Sequence, residues 1–173
     1  MTASNRTHVP TARPARFPAE YGQTDATRAE LLDWSDVAAR IAAARNYWLA
    51  TIAAPGRPHL RPVDGVWVDD ALCFGGAPET GWVRNLQARP EVSASLPDDD
   101  HAVILEGAVE LVSDPALPVS VALAPANRAK YPQYFEQGAP DEFLPFWCLR
   151  PRRVFAWSLT GFPNQATRFD FPG

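Results

Sequence analysis

One arginine in a predicted β-strand is well placed to hold a ligand. Arg61 lies in the run HLRPVDGVWV, whose alternation puts His59, Arg61 and Val63 on the same face. An unpaired guanidinium among apolar neighbours is costly, and arginine is suited to planar bidentate contacts with carboxylate or phosphate. We therefore expect Arg61 either to contact an anionic ligand or to form a salt bridge with Asp64 or Glu106.

A second candidate is the start of a predicted short helix, TGWVRNLQAR, which should end before the following proline. The Thr80 hydroxyl could bind a phosphate or simply cap the helix. The backbone N–H groups of Thr80, Gly81 and Trp82 would point from the helix N-terminus toward an anion, and Arg84 could also reach it. Glu79 beside them would oppose a negative charge.

Four tryptophans offer flat surfaces for a conjugated ring. Trp48, Trp67, Trp82 and Trp157 could stack on such a ligand, and in the alternating pattern Trp67 shares the face of Arg61. The alternative for each is a place in the core or in a dimer contact. Trp82 is the strongest stacking candidate because it lies in the segment expected near the ligand.

Other chemistries find little support among the titratable residues. Glu106 and Glu110 share a strand face, but no further acid or cleft signal makes them an acid–base pair. His8, His59 and His101 have no spacing suited to zinc or haem ligation, so we expect no metal site. Nucleophile-elbow, Walker A and G-x-G-x-x-G patterns do not occur in the sequence.

The two cysteines are expected to be buried, reduced thiols. Cys73 and Cys148 lie in separate apolar stretches, ALCFGG and PFWCLRP, without the spacing of a metal site or redox pair.

Composition indicates one globular domain. The 173 residues are 46% hydrophobic, and no apolar run approaches the roughly 20 residues needed to cross a bilayer. The net charge of −4 gives no general attraction for nucleic acid, and Lys130 is the only lysine. The first residues lack the apolar centre of a secretory signal, so we expect a cytoplasmic protein.

The order of elements predicts a mainly β fold. Residues 1–28, rich in Pro, Thr, Ala and Arg, should form an extended or mobile arm, followed by one domain over residues 29–173. A helix capped by Ser35 should precede a three-stranded meander with a turn at Asp69 and Asp70. About seven strands around two or three helices favour a closed or partly closed antiparallel barrel.

The order and spacing of several segments resemble one known superfamily. NYWLAT is followed by GRPHLRPVDGVWVDDALCFGG, then RNL, ARPEV, VILEGAVELV and finally RRVFAWSL with ATRF. This pattern, over about residues 34–171, resembles the pyridoxamine 5'-phosphate oxidase-like superfamily.

The resemblance implies a split β-barrel homodimer with its coenzyme in a groove formed by both subunits. Flavin mononucleotide (FMN) is the expected coenzyme; the alternatives are the deazaflavin coenzyme F420, haem, and no cofactor at all. The family's pattern places Arg61, Pro62 and Val63 against the cofactor, with Trp67 ending the same stretch. Arg168 in ATRF resembles a position near the active-site groove, and its alternative is a solvated or interface arginine.

The phosphate motif departs from the family pattern. Members usually carry Ser or Thr, then Arg, then Lys at the start of this helix, whereas here the residues are Thr80, Gly81 and Trp82. A desolvated phosphate dianion needs replacement donors and compensating charge. We therefore expect weakened flavin affinity, or a ligand without a phosphate at that point.

Three functions remain open from the sequence. The first is an FMN- or deazaflavin-dependent oxidoreductase acting on an unknown small molecule, in which the cofactor performs the redox chemistry. The second is a non-catalytic flavin- or haem-binding barrel with a degenerate site. The third is a purely structural dimer.

Overall fold

A single nine-stranded antiparallel sheet with four α-helices forms the described part of the protein. The computed structural model describes residues 9–25, 27–28, 30–136 and 143–172. The strands are β1 (Thr11–Pro14), β2 (Asn46–Ala53), β3 (Arg57–Asp64), β4 (Val66–Val68), β5 (Ala71–Phe74), β6 (Glu91–Ser95), β7 (His101–Val112), β8 (Phe146–Ser158) and β9 (Thr167–Asp170). The helices are α1 (Trp34–Ala43), α2 (Gly81–Ala88), α3 (Pro118–Lys130) and α4 (Pro132–Glu136).

The predicted mainly β fold is confirmed, and the sheet is open. The described residues form nine strands, where the sequence predicted about seven. One addition is β1, and the other arises because the run 59–68 divides into β3 and β4. The predicted turn between β4 and β5 is confirmed, and Asp69 and Asp70 both have positive φ, as in a type I′ hairpin.

Two helix predictions need correction. Helix α1 begins at Trp34 with Asp33 in the capping position, so Ser35 lies inside the first turn rather than before it. The proline-punctuated segment after β7 forms two helices, because Pro132 starts α4 immediately after α3 ends. None of the described helices is long and apolar enough to cross a bilayer.

Part of the predicted N-terminal arm belongs to the sheet. Strand β1 pairs antiparallel with β9, so residues 11–14 are an extended edge strand and not a free arm. Phe17 continues the attachment, with its ring centroid 4.9 Å from that of Phe162 in the β8–β9 connection. The domain boundary at residue 28 is untested and stays a prediction.

The long strand β8 makes the sheet fork. Along its full length β8 pairs with β7, while its other edge pairs first with β5 at residues 147–149 and then with β9 at residues 153–156. The main path therefore runs β1-β9-β8-β7-β6-β2-β3, and β5 and β4 form a side branch. Strand β3 ends one branch and β4 ends the other, so the chain between them spans the opening of the barrel.

Gly65 makes this connection. A Cβ at Gly65 would lie 3.0 Å from Leu72 Cδ1, 3.1 Å from the Cys73 carbonyl oxygen and 3.2 Å from Tyr47 Cε2. The close approach of these groups requires glycine, and it interrupts the strand that the alternating pattern predicted to be continuous.

The end of helix α3 holds Gly65 by its backbone. Lys130 Nζ donates to the Gly65 carbonyl oxygen at 2.8 Å and to the Tyr47 hydroxyl at 3.0 Å. The Tyr131 hydroxyl accepts from the Gly65 N–H at 3.0 Å and lies within hydrogen-bond distance of the carbonyl oxygens of Gly65 and Arg45. These buried backbone groups are therefore satisfied by side chains where the sheet offers no partner.

Lys130 should make stability depend on pH. Burial lowers the pKa of Lys130 to about 8, and the nearby Asp64 carboxylate opposes this shift. Between this pH and 10.5, Lys130 is therefore mostly neutral in the folded protein but protonated in the unfolded chain. Wild-type stability should therefore rise relative to Lys130→Met between about pH 8 and Lys130's ordinary pKa of 10.5. The slope for one proton is at most about 1.4 kcal/mol per pH unit.

Urea unfolding of both proteins across this pH range measures the difference. Subtracting the Lys130→Met curve removes the tyrosine titrations that the two proteins share. Parallel pH profiles for the two proteins would contradict the prediction.

Candidate functional site

A cavity of about 740 Å³ opens at the junction of the two sheet branches. Its walls come from β3, from the start of β4 and the end of β5, from the start of α2 and from the region of α3 and α4. Six of the predicted cofactor-binding residues line it together: Arg61, Pro62, Val63, Thr80, Gly81 and Trp82. The volume is that of an ordinary small-molecule site.

Arg61 brings positive charge to the cavity. It lies on edge strand β3 opposite Leu49, on the sheet face that carries the core. Its guanidinium is exposed and donates to the Leu60 carbonyl oxygen at 3.3 Å. The salt-bridge alternative is wrong within the described residues, since Asp64 bonds to Tyr134 and Glu106 lies 3.7 Å from Arg153.

The start of helix α2 faces the same cavity. Thr80 occupies the capping position, but its hydroxyl donates to the Ala77 carbonyl oxygen at 2.7 Å and its N–H donates to the same oxygen at 3.0 Å. The prediction that the Thr80 N–H is free is therefore wrong. The N–H groups of Gly81 and Trp82, in the first turn, have no acceptor among the described backbone groups.

Trp82, which stands where the family pattern has a lysine, packs its ring against the core. The ring packs on Phe74, with centroids 6.1 Å apart, and covers Gly76, where an added Cβ would lie 2.4 Å from Trp82 Cη2. Trp82 also lines the cavity. Trp82 is therefore an apolar wall residue that is also anchored to the core.

Three predicted cofactor residues lie outside the cavity lining. Trp67 packs against Trp34, with ring centroids 6.3 Å apart, because the break at Gly65 ends the alternation that placed it beside Arg61. Arg168 pairs with Asp170 at 2.7 Å on β9. Arg84 donates to the Glu79 carbonyl oxygen at 2.6 Å, and its Nη2 lies 3.9 Å from where a Cβ of Gly81 would be.

Sequence analysis missed the wall supplied by α3, α4 and the residues after them. That wall, with the end of β3, comprises Asp64, Leu123, Asn127, Tyr131, Tyr134, Phe143 and Phe146. The Tyr134 hydroxyl donates to the Asp64 carboxylate, which raises the pKa of Tyr134. Apart from Asp64, these residues are far from β3 along the chain and reach the site through tertiary packing, which includes the hydrogen bonds of Tyr131 to Gly65 and of Tyr134 to Asp64.

The cysteines are free and buried, and they are close together. Cys73 and Cys148 are register partners on β5 and β8, with their sulfur atoms 2.9 Å apart. Cys73 also contributes to the cavity wall. The two thiols are therefore neighbours in space although 75 positions separate them in the sequence.

The other titratable candidates lie elsewhere. Glu106 and Glu110 contact Arg153 and Arg150 on β8 and do not line the cavity. His8 lies outside the described residues. Within the described part of the chain, no three potential metal ligands come together.

The donor set of the cavity fits an anionic, partly flat ligand. Arg61 and the N–H groups of Gly81 and Trp82 can bind a phosphate or carboxylate, while Phe74, Phe146 and Trp82 provide apolar surface for a ring. One cationic side chain in place of three donors from a Ser-Arg-Lys motif predicts weaker binding of the anion.

Comparison with known proteins supports the resemblance. The sequence profile of the family described as pyridoxamine 5'-phosphate oxidase matches residues 34–158. No protein of curated function matches the sequence.

Solved structures show the same fold at low sequence identity. The chain is similar to the conserved hypothetical protein Rv2991 of Mycobacterium tuberculosis, with a TM-score of 0.61 and 20% identity, over 79% of this chain and 89% of that one. It resembles a heme binding protein of Mycobacterium smegmatis with a TM-score of 0.61 and 21% identity, over 79% and 57% of the two chains. It is also similar to a FAD-binding protein of Mesorhizobium loti, with a TM-score of 0.54 and 17% identity, over 80% of this chain and 95% of that one.

The matched profile covers most of the chain, and the open forked sheet with its cavity at the β3–β4 junction agrees with it. The chain therefore belongs to the pyridoxamine 5'-phosphate oxidase family and has its split-barrel fold.

Proposed function

We propose that this protein is a flavin-dependent oxidoreductase that binds FMN in the cavity between β3, α2 and α3. The observation that carries the proposal is a cavity of about 740 Å³ with aromatic walls and a group of anion donors around Arg61. The structurally similar FAD-binding and heme binding proteins support a flat ligand in this fold. The deazaflavin coenzyme and haem are the alternative ligands.

The protein's part would be to bind and orient the coenzyme. Arg61 and the N–H groups of Gly81 and Trp82 would hold the phosphate, and Phe74 and Trp82 would contact the ring. A bound flavin supplies hydride transfer to or from a small organic substrate. Asp64 and Tyr134, which share a hydrogen bond, would lie beside that substrate.

A non-catalytic ligand-binding protein is the second candidate. It is favoured by Trp82, whose ring is anchored on Gly76 at a position where the family pattern has a cation. A weakly held ligand could then be carried without turnover. Free thiols at Cys73 and Cys148 agree with the cytoplasm as the proposed location for either function.

We also propose a homodimer. The outer face of the β2–β3 hairpin carries apolar side chains that nothing in the described chain covers: Trp48, Ile52 and Leu60 are 40%, 37% and 52% exposed. Pro58 and Pro62 lie on the same face, since they are register partners of Ile52 and Trp48. A two-fold axis would pair this patch with its own copy and bury both.

Titration of the purified protein with FMN, monitored by visible absorbance and flavin fluorescence, tests the proposed function. We expect saturable binding of micromolar or tighter affinity and, under anaerobic conditions, reduction of the bound flavin by a nicotinamide donor. Binding without reduction by any donor would favour the carrier function. A folded protein that binds neither FMN, deazaflavin nor haem would contradict both candidates.

Restoring a cation at the start of α2 should strengthen phosphate binding. Gly81 is exposed, and a Cβ there meets only Arg84 Nη2 at 3.9 Å, so Gly81→Lys fits without loss of packing. We expect its FMN affinity to rise about tenfold while riboflavin affinity stays unchanged, since a charge-assisted bond is added only for the phosphate.

Gln87→Lys is the matched control for Gly81→Lys, because it adds the same charge at an exposed position near the other end of the helix. Equal gains for both variants would indicate a general charge effect. An unchanged ratio of FMN to riboflavin affinity in Gly81→Lys would contradict the proposed phosphate position.

Light scattering tests the dimer, which should show twice the chain mass of 19.0 kDa. Leu60→Lys should shift the protein toward the monomer because the charge would be buried in the interface. Val121→Lys is the control, since Val121 is an equally apolar residue 65% exposed on α3. A wild-type monomer at micromolar concentration, or equal effects of the two substitutions, would argue against this interface.

A further inference from the structure

His59 has a fixed orientation in the cavity wall. It lies on β3 directly opposite Thr51 of β2 and two residues before Arg61, on the same sheet face. Thr51 is only 2% exposed and is one of two buried polar residues in the described chain. Its hydroxyl lies 3.4 Å from His59 Nδ1 and 3.4 Å from the His59 carbonyl oxygen.

Asn85 of helix α2 completes the arrangement. Its amide nitrogen lies 3.0 Å from the Thr51 hydroxyl oxygen and 3.3 Å from His59 Nδ1. An amide nitrogen can only donate, so His59 Nδ1 accepts and the proton of the neutral ring sits on Nε2. No group in the described part of the chain bonds to Nε2, which leaves this N–H available to a ligand.

We propose that His59 binds the anionic group of the ligand, a phosphate or carboxylate, through Nε2–H and together with Arg61. This inference rests on the proposed function in assigning the anion to a flavin. Residues two apart on a strand face are separated by about 6.6 Å, a distance that one anion bound to both side chains can span. Among the described residues, neither side chain is paired with a carboxylate.

The proposal explains how the site can work without the family's cations at positions 81 and 82. Beside the charge of Arg61, the additional hydrogen-bond donor is supplied from β3 instead of from α2, and the Asn85 amide links the two elements by its hydrogen bond to the histidine ring. Asp64, the acidic residue of the cavity wall, is five residues further along the strand direction and bonds to Tyr134. Asp64 is therefore separated along the strand by about 10 Å from Arg61 and about 17 Å from His59.

The test compares FMN with riboflavin, which share the ring and differ in the phosphate. His59→Phe keeps a ring of similar size but removes the donor, so FMN affinity should fall about tenfold while riboflavin affinity is unchanged. His101→Phe is the matched control, because His101 lies near Asp98 and Arg40, away from the cavity. His59→Asn, whose shorter amide can still bond to Asn85 near the position of Nδ1 but cannot reach the position of Nε2, serves if the phenylalanine variant does not fold, and should show the same loss of preference for FMN.

A second measurement does not depend on flavin. Inorganic phosphate is titrated into the wild-type protein while the imidazole NMR signals are recorded, with His59 and His101 assigned from the two variants. The His59 signal should shift and saturate, whereas the His101 signal should not move. A His59 shift in a protein that binds no flavin would support the anion site and reject the proposed function.

Two results would overturn the inference and leave the proposed function standing. The first is wild-type FMN binding with an unchanged ratio of FMN to riboflavin affinity in both His59 variants. The second is a His59 signal that does not move with phosphate, or that moves no more than the His101 signal.

Discussion

The site depends on the hydrogen bonds between the end of helix α3 and the backbone of Gly65. At Gly65 the chain leaves the edge of one sheet branch and enters the other, and its backbone groups have no strand partner there. Lys130 and Tyr131 provide those partners from the end of helix α3, whose buried residues Val119 and Leu123 pack in one cluster with Cys148. The position of β3, and with it Arg61, therefore depends on contacts made by residues some 65 positions later in the chain.

The same constraint separates what the sequence could and could not predict. Period-two alternation identified β7, because one of its faces is buried, and the turn residues Asp69 and Asp70 identified the β4–β5 hairpin. The alternation also continued smoothly through Gly65, and so it placed Trp67 beside Arg61 when its ring in fact packs on Trp34. A close approach of two side chains and a carbonyl leaves no local signal except the glycine itself.

Long-range packing accounts for the rest of the site. Tyr131 and Tyr134 belong to a helical segment with no chemical motif, and they reach the cavity only through Gly65 and Asp64. Likewise, Cys73 and Cys148 are register partners because β5 occupies one half of the edge of β8. The family pattern located Arg61 and the start of α2 correctly in one cavity, but it carried no information about which helix would cover them.

The composition of edge strand β3 also limits how other chains can associate with this one. Pro58 and Pro62 have no N–H, so in a strand paired with β2 they must occupy positions whose nitrogen faces the free edge. Along this edge, two of the four outward-facing positions are prolines and cannot donate a hydrogen bond, which leaves Leu60 and Asp64. A further strand could not be extended from β3 with a regular ladder. The apolar residues of the hairpin can therefore make a face-to-face contact with another chain. The two prolines of β3 disfavour aggregation through its edge, because they cannot donate the hydrogen bonds of a continuous sheet.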